Sequence, residues 1–235
     1  MAAVSTGAVV DATGKETREI NREIRALIAR GEKTIRVANP GARHNLAVGL
    51  DSDVSITFEG PAGYFLGGMM DGPRLHVQGN CGWSVGEDML SGEIVIDGYA
   101  GNSAAAAIRG GTVVIRGDAG ARSGVSMKGG LLIVGGSVGY MTGFMMQKGT
   151  MIVCGDAGPA IGDSMYNGHI FVAGSVDQPG NDAVVGEPTD EDNAMIAEAL
   201  SRYNIPHPGG FKKLSSGGRL WNFSKKEIGV WIEAL

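Results

Sequence analysis

The chain has 235 residues, 43% hydrophobic but only 6% aromatic, and forty of them are glycine. A net charge of −5 works against a nucleic-acid surface, which needs clustered lysine and arginine to displace counterions. No apolar run approaches the roughly 20 residues that cross a bilayer, and no secretory leader opens the chain, so a cytoplasmic protein is expected.

Residues 1–12 read as a loose arm. Thr13 and Glu16 have capping-box spacing. Ile20, Ile24, Leu27 and Ile28 then fall on one helical face, with Glu19, Arg22, Glu23 and Arg25 away from it. The pattern predicts an amphipathic helix over 15–30, stopped by Gly31. Residues 1–33 thus form an N-terminal arm and capping helix.

A fixed period follows. Residues 34–53 make an imperfect first coil, with a strand at Thr34 to Val37 and Gly41 nineteen residues before Gly60. From there Gly60, Gly79, Gly98, Gly117, Gly136, Gly155 and Gly174 recur every nineteen residues, each after a short apolar run. Counting from these corner glycines, positions −4 and −2 are apolar in every coil, from Ile56 and Phe58 to Ile170 and Val172. That alternation marks one buried strand face. Further glycines recur at +3, +7 and +13, and position +10 holds Met70, Met89, Ile108, Met127, Met146 and Met165. A column of methionines suits an interior stack in which flexible thioethers fill space between glycine-rich walls.

A repeat of this length signals a solenoid, in which each coil buries its apolar face only by stacking on the next. Glycine serves its corners by reaching positive φ and letting backbones approach. The expected fold is all-β: a right-handed parallel β-helix over 34–178, the hand following from the rule for parallel crossovers.

The period fails after Gly174, where Asp177, Pro179 and Gly180 break the phase. Residues 179–235 then form a C-terminal helix and tail. Thr189 and Asp192 have the spacing of a helix cap, and Ile196, Ala199, Leu200 and Tyr203 form an apolar stripe. Such a helix would serve as a lid on the open end of the solenoid. In the tail, Phe211, Leu220, Trp221, Phe223 and Trp231 are candidate partner contacts.

Catalytic signatures are missing from the sequence. It has no phosphate-binding P-loop, no nucleophile elbow and no dinucleotide fingerprint. Without a C-x-x-C pair there is no zinc ribbon or ordinary iron–sulfur run. His44, His76, His169 and His207 occupy different coil positions. Cys81 and Cys154 lie four coils apart, roughly 19 Å at one strand spacing per coil, too far for a disulfide, so they are expected to be free thiols. Asp118 and Asp156 share position +1 with Ser137 between them. Two coils separate them by roughly 9–10 Å, a distance compatible with an inverting glycosidase pair. The simpler reading is a set of solvated corner residues. No catalytic, cofactor-binding or metal-binding residue is assigned.

The coils Gly98-Tyr-Ala-Gly101, Gly117-Asp-Ala-Gly120 and Gly155-Asp-Ala-Gly158, with their methionine column, resemble the GXGXG domain. This is the C-terminal β-helix domain of the large subunit of glutamate synthase, and it occurs also in one of the subunits of formylmethanofuran dehydrogenase. The tail Phe211-Lys-Lys-Leu-Ser-Ser-Gly-Gly-Arg-Leu-Trp-Asn-Phe223 is most similar to stand-alone glutamate-synthase-like subunits, including the β-helix subunit of N-methylglutamate synthase. The resemblance implies a structural subunit of a hetero-oligomer. It would hold together a class II amidotransferase-like subunit and a synthase-like subunit with FMN and an iron–sulfur cluster, with net chemistry between glutamate and methylamine. Two alternatives stand beside it. One is the corresponding subunit of a formylmethanofuran dehydrogenase or formyltransferase/hydrolase complex. The other is a free-standing carbohydrate-active β-helix enzyme.

Overall fold

The computed structural model describes residues 7–219. Strand β1 (Ala8–Asp11) leads into helix α1 (Thr17–Ala29). Strands β2 (Thr34–Ala38), β3 (Ser55–Glu59), β4 (Arg74–Val77), β5 (Glu93–Ile96), β6 (Thr112–Ile115), β7 (Lys128–Val134), β8 (Lys148–Val153) and β9 (His169–Val172) follow, one per coil. Then come β10 (Ala183–Gly186), helix α2 (Asp190–Arg202) and β11 (Lys212–Ser216). All the strands belong to one 11-stranded sheet. From β1 to β9 each strand pairs in parallel with the next. Ile56, Leu75, Ile94, Val113, Leu132, Met151 and Ile170 stand in one column, which is the predicted nineteen-residue register of a parallel β-helix.

Each coil turns through two further walls. A second ladder joins Ala62, Cys81, Ala100, Ala119, Val138 and Ala157 by parallel bridges. In the third wall alternate residues take left-handed backbone, as at Phe65, Gly67 and Met69 with φ of 60°, 63° and 56°. Their amides point alternately up and down the stack. Phe65 N donates to Trp83 O, Gly67 N to Leu46 O and Met69 N to Glu87 O. The glycine column at +7 forecasts one of these three conformations. The other two fall mostly on larger residues, including Arg122 and Met141, where no glycine signals them.

The interior holds the inward strand residues, the +10 column and the apolar members of a column at +6, all within one cluster. Met70, Met89, Met127, Met146 and Met165 are wholly buried, as an interior stack requires. The two buried hydroxyls of the +6 column are satisfied locally. Ser123 and Thr142 donate to Gly120 O and Gly139 O, at 2.9 and 3.0 Å.

The first coil departs from the expected phase. Ile35 pairs with Ile56 and Ala38 with Glu59, a step of twenty-one residues, so Asn39 rather than Gly41 falls level with Gly60. The arm is not loose over its described part, because β1 adds a strand to the sheet edge. Thr13 does not cap α1 but turns back to Asp11 Oδ1. Glu16 is the cap residue, and its amide donates to the Glu19 carboxylate.

Helix α1 closes the N-terminal end of the stack. Ile20 and Ile24 enter the interior cluster. Asn21 donates to Asn45 O and accepts from Ala47 N, while Arg25 donates to Val48 O and Gly49 O. These side chains satisfy backbone groups that a missing coil would otherwise pair.

Helix α2 has the predicted cap, with Thr189 and Asp192 bonding each other's amides. It is not an end lid, however. Ile196, Leu200 and Tyr203 pack on Val114, Ile133, Ile152 and Phe171, the outward residues of β6 to β9. The helix therefore runs along the outside of the sheet. Its 13 residues extend about 20 Å, matching the roughly 19 Å of four strand steps from β9 to β5. The far end of the stack is instead finished by β11, antiparallel to β9, and by β10, antiparallel to β11.

Candidate functional site

The corner residues at +1 are structural acceptors. Asn80 Oδ1 accepts from Tyr99 N, Asp118 Oδ1 from Ser137 N, Ser137 Oγ from Asp156 N, and Asp156 Oδ1 from Ser175 N, at 2.8–3.1 Å. Each bond climbs one coil and crosses the corner glycine of the coil above. A Cβ on Gly98 would lie 1.9 Å from Asn80 Oδ1, one on Gly136 2.1 Å from Asp118 Oδ1, and one on Gly174 2.4 Å from Asp156 Oδ1. Close approach, rather than positive φ, thus requires glycine at these corners. Gly117 and Gly155 are crowded by backbone below them, Gly79 is at the limit of contact, and Gly60 meets only the Pro40 ring at ordinary contact distance. Hydrogen bonds from Ser175, its amide first, hold the Asp156 carboxyl below the usual carboxylate range. Both Asp118 and Asp156 thus serve as rungs of a hydrogen-bonded ladder between coils.

The outer face of β2 to β6 carries a charged cluster where α2 ends. Arg36 pairs with Glu59. His76 Nε2 meets Asp97 Oδ2 at 2.9 Å, and Arg116 Nε meets Asp97 Oδ1 at 3.3 Å. Arg116 also donates to Tyr203 O at 2.7 Å, and Tyr203 Oη donates to Glu93 Oε2 at 2.6 Å. Burial, with Glu93 adding to it, pushes the Tyr203 hydroxyl up to about 12. The cluster fixes the C-terminal end of α2, where a cation also suits the helix dipole. At the other end Lys213 bonds Asp192 at 2.7 Å. His169, beside that pair, is held below its usual pKa, first by burial and then by Lys213.

Cys81 and Cys154 are both free thiols. Burial pushes them up to about 12 and about 11. At neutral pH they are protonated and carry no activated nucleophile. Among the described residues, no three of His, Cys, Asp and Glu come together as a metal site.

Three large exposed hydrophobic residues, Tyr64, Trp83 and Tyr99, line one depression on the solenoid surface, while Phe65 and Met69, also exposed, line a neighbouring one. The rings of His44, Tyr64 and Trp83 stack along the axis, with centroids 4.4 and 5.5 Å apart. With Pro61 and Tyr99 they border a trough floored by Gly63, Gly82 and Gly101. Stacking secures the rings to each other and leaves their edges in solvent. Exposed apolar surface gathered this way marks a contact site, and tyrosine and tryptophan are favoured anchors of interfaces.

The sequence places the partner contacts in the tail instead. Phe211 is 5% exposed and packs under α2 in the protein's own core, so as placed it is not available to a partner. Leu220, Trp221, Phe223 and Trp231 lie outside the described residues.

A stack of glycine-cornered coils with laddered side chains defines a parallel β-solenoid. The chain belongs to the GXGXG motif family, whose model matches residues 11–191. A curated relative is Protein GlxC of Rhizobium meliloti (strain 1021), 40% identical over 73 residues. That match covers 30% of this chain and 32% of the relative, about a third of the relative's length. Among solved structures, the fold matches a chain of the formyltransferase/hydrolase complex (FhcABCD) from Methylorubrum extorquens, crystallised with methylofuran. The TM-score is 0.68 and the identity 25%, over 88% of each chain.

Proposed function

We propose that this protein is a non-catalytic structural subunit of a glutamate-synthase-like complex, of which N-methylglutamate synthase is the best fit. It holds an amidotransferase-like subunit and an FMN and iron–sulfur synthase-like subunit in fixed geometry. The observation that carries the reading is the exposed aromatic trough lined by Tyr64, Trp83 and Tyr99 on a solenoid whose corner side chains bond within the stack. Rigid coils with an exposed apolar contact face suit a scaffold. Family membership and the resemblance of the coil corners support the glutamate-synthase direction.

A second reading has its own support, since the match to a chain of a formyltransferase/hydrolase complex spans 88% of both chains. One experiment separates the two. The tagged chain is purified from its native cell and the eluate examined for bound subunits and flavin. Stoichiometric recovery of a flavoprotein and an amidotransferase-like chain is the expected result. Recovery with flavin-free, hydrolase-like subunits favours the second reading. Recovery of the chain alone overturns both.

A further inference from the structure

Three cations stand on three consecutive coils at one edge of the third wall. Lys128 and Lys148 are directly opposed in the β7–β8 ladder. Lys128 N donates to Ile108 O, and in this parallel ladder that bond places Lys128 over Arg109. The same placement follows from Gly129, where a Cβ would lie 2.2 Å from Arg109 O. Neighbouring levels are thus one strand spacing apart, about 4.8 Å. Among the described residues none of the three takes part in an ion pair. Arg109 and Lys148 are exposed and Lys128 is half-buried.

Directly opposed like charges destabilise a sheet. The stack does not demand them, because the same corner position is Asp71 and Leu90 in the coils below. The alignment also needs an irregularity. Between Lys128 and Leu131 the register shifts from twenty residues to nineteen, and Met127 O accepts from both Gln147 N and Lys148 N. Without that bulge Gln147 would face Lys128, and the column would stop at two. Bulges commonly re-aim a side chain for use. A few residues back along the same coils lie Ala107, Val125, Phe144 and Met145, all half-buried. The edge is therefore a row of cations beside an apolar strip, on a chain whose overall charge is −5.

We propose that this edge docks an acidic, amphipathic segment of a partner subunit. Its carboxylates sit over Arg109, Lys128 and Lys148, and its apolar side chains cover Val125, Phe144 and Met145. The inference rests on the scaffold reading and adds a second contact surface, on the coils above the aromatic trough. Charge complementarity selects the occupant, since carboxylates on the partner relieve the repulsion within the column.

The test uses the co-purified complex. Zero-length carbodiimide cross-linking joins lysines to carboxylates in ion-pair contact. Peptides linking Lys128 or Lys148 to an Asp or Glu of a partner subunit are expected. In reconstitution, the Arg109→Glu/Lys128→Glu/Lys148→Glu protein should bind its partners roughly tenfold or more weakly, and the wild-type affinity should fall with salt. The corresponding triple Gln protein should lie between the two, and its circular dichroism should match the wild type. An unchanged affinity of both variants, without cross-links to a partner, overturns the proposal while leaving the scaffold reading intact. So do cross-links to Glu227 or Glu233 of the same chain, or binding to phosphatidylserine vesicles that the substitutions abolish while assembly persists. If the unaltered chain assembles with nothing, both readings fall together.

Discussion

Asn80 and Gly98 constrain each other across a single coil step. The amide oxygen of Asn80 occupies the space a Cβ on Gly98 would need, and from there it accepts the Tyr99 amide. Replacing Asn80 by Ala should cost about 1 kcal/mol, the net worth of one hydrogen bond. Gly98→Ala should cost about 1–3 kcal/mol, because it expels the Asn80 side chain and crowds Gly79 O. The double variant should be more stable than the sum by about 1 kcal/mol, since the same bond cannot be lost twice. Urea denaturation of the four proteins measures the coupling, and strict additivity would refute the account. The sequence shows both columns plainly, glycine at every corner and a short polar residue after most of them. It does not show that one exists for the other, because that relation runs between coils.

Helix α2 shows what periodicity conveys about an element and what it withholds. Its cap and stripe are legible, and both are present. Its docking surface is harder to read, because a stripe does not name what it covers. The clue lies at position −3, which runs Thr57, His76, Val95 and then Val114, Ile133, Ile152, Phe171. From β6 onward the strands are apolar on both faces, the mark of a sheet covered on both sides. Leu200 is 1% exposed in that contact, and Leu200→Ala should cost about 2–4 kcal/mol of docking free energy. The loss should appear as local opening rather than global unfolding. Limited proteolysis should cut the 187–205 segment faster while the strand signal in circular dichroism persists. Simultaneous loss of both would show that helix and solenoid unfold as one unit.

For the whole molecule, stability follows from contacts between neighbouring coils. Deleting residues 60–78 joins Glu59 to Gly79 in phase and leaves everything under α2 in place. That shortened protein should fold cooperatively, with a smaller denaturant m-value because less surface is exposed on unfolding. Deleting residues 136–154 removes an equal length but takes Ile152 from beneath α2. It also separates the Tyr203–Glu93 bond from the Lys213–Asp192 bond by one strand too few. It should be the less stable of the two, and equal midpoints would argue that α2 has no part in the count. The solenoid itself is legible because nineteen-residue recurrence over-determines it. The far end is not, since β10 and β11 reverse direction and share no period with the coils.

Because α2 is pinned at both tips, it works as a ruler. The strands between its two pins, from β5 through β9 to β11, can be neither fewer nor more without unseating one tip. Below Glu93 no such gauge exists, and turns can be gained or lost there without moving either tip of α2. The molecule is therefore divided into a calibrated half and an extensible half, and the aromatic stack of His44, Tyr64 and Trp83 lies in the half that is free to change its reach.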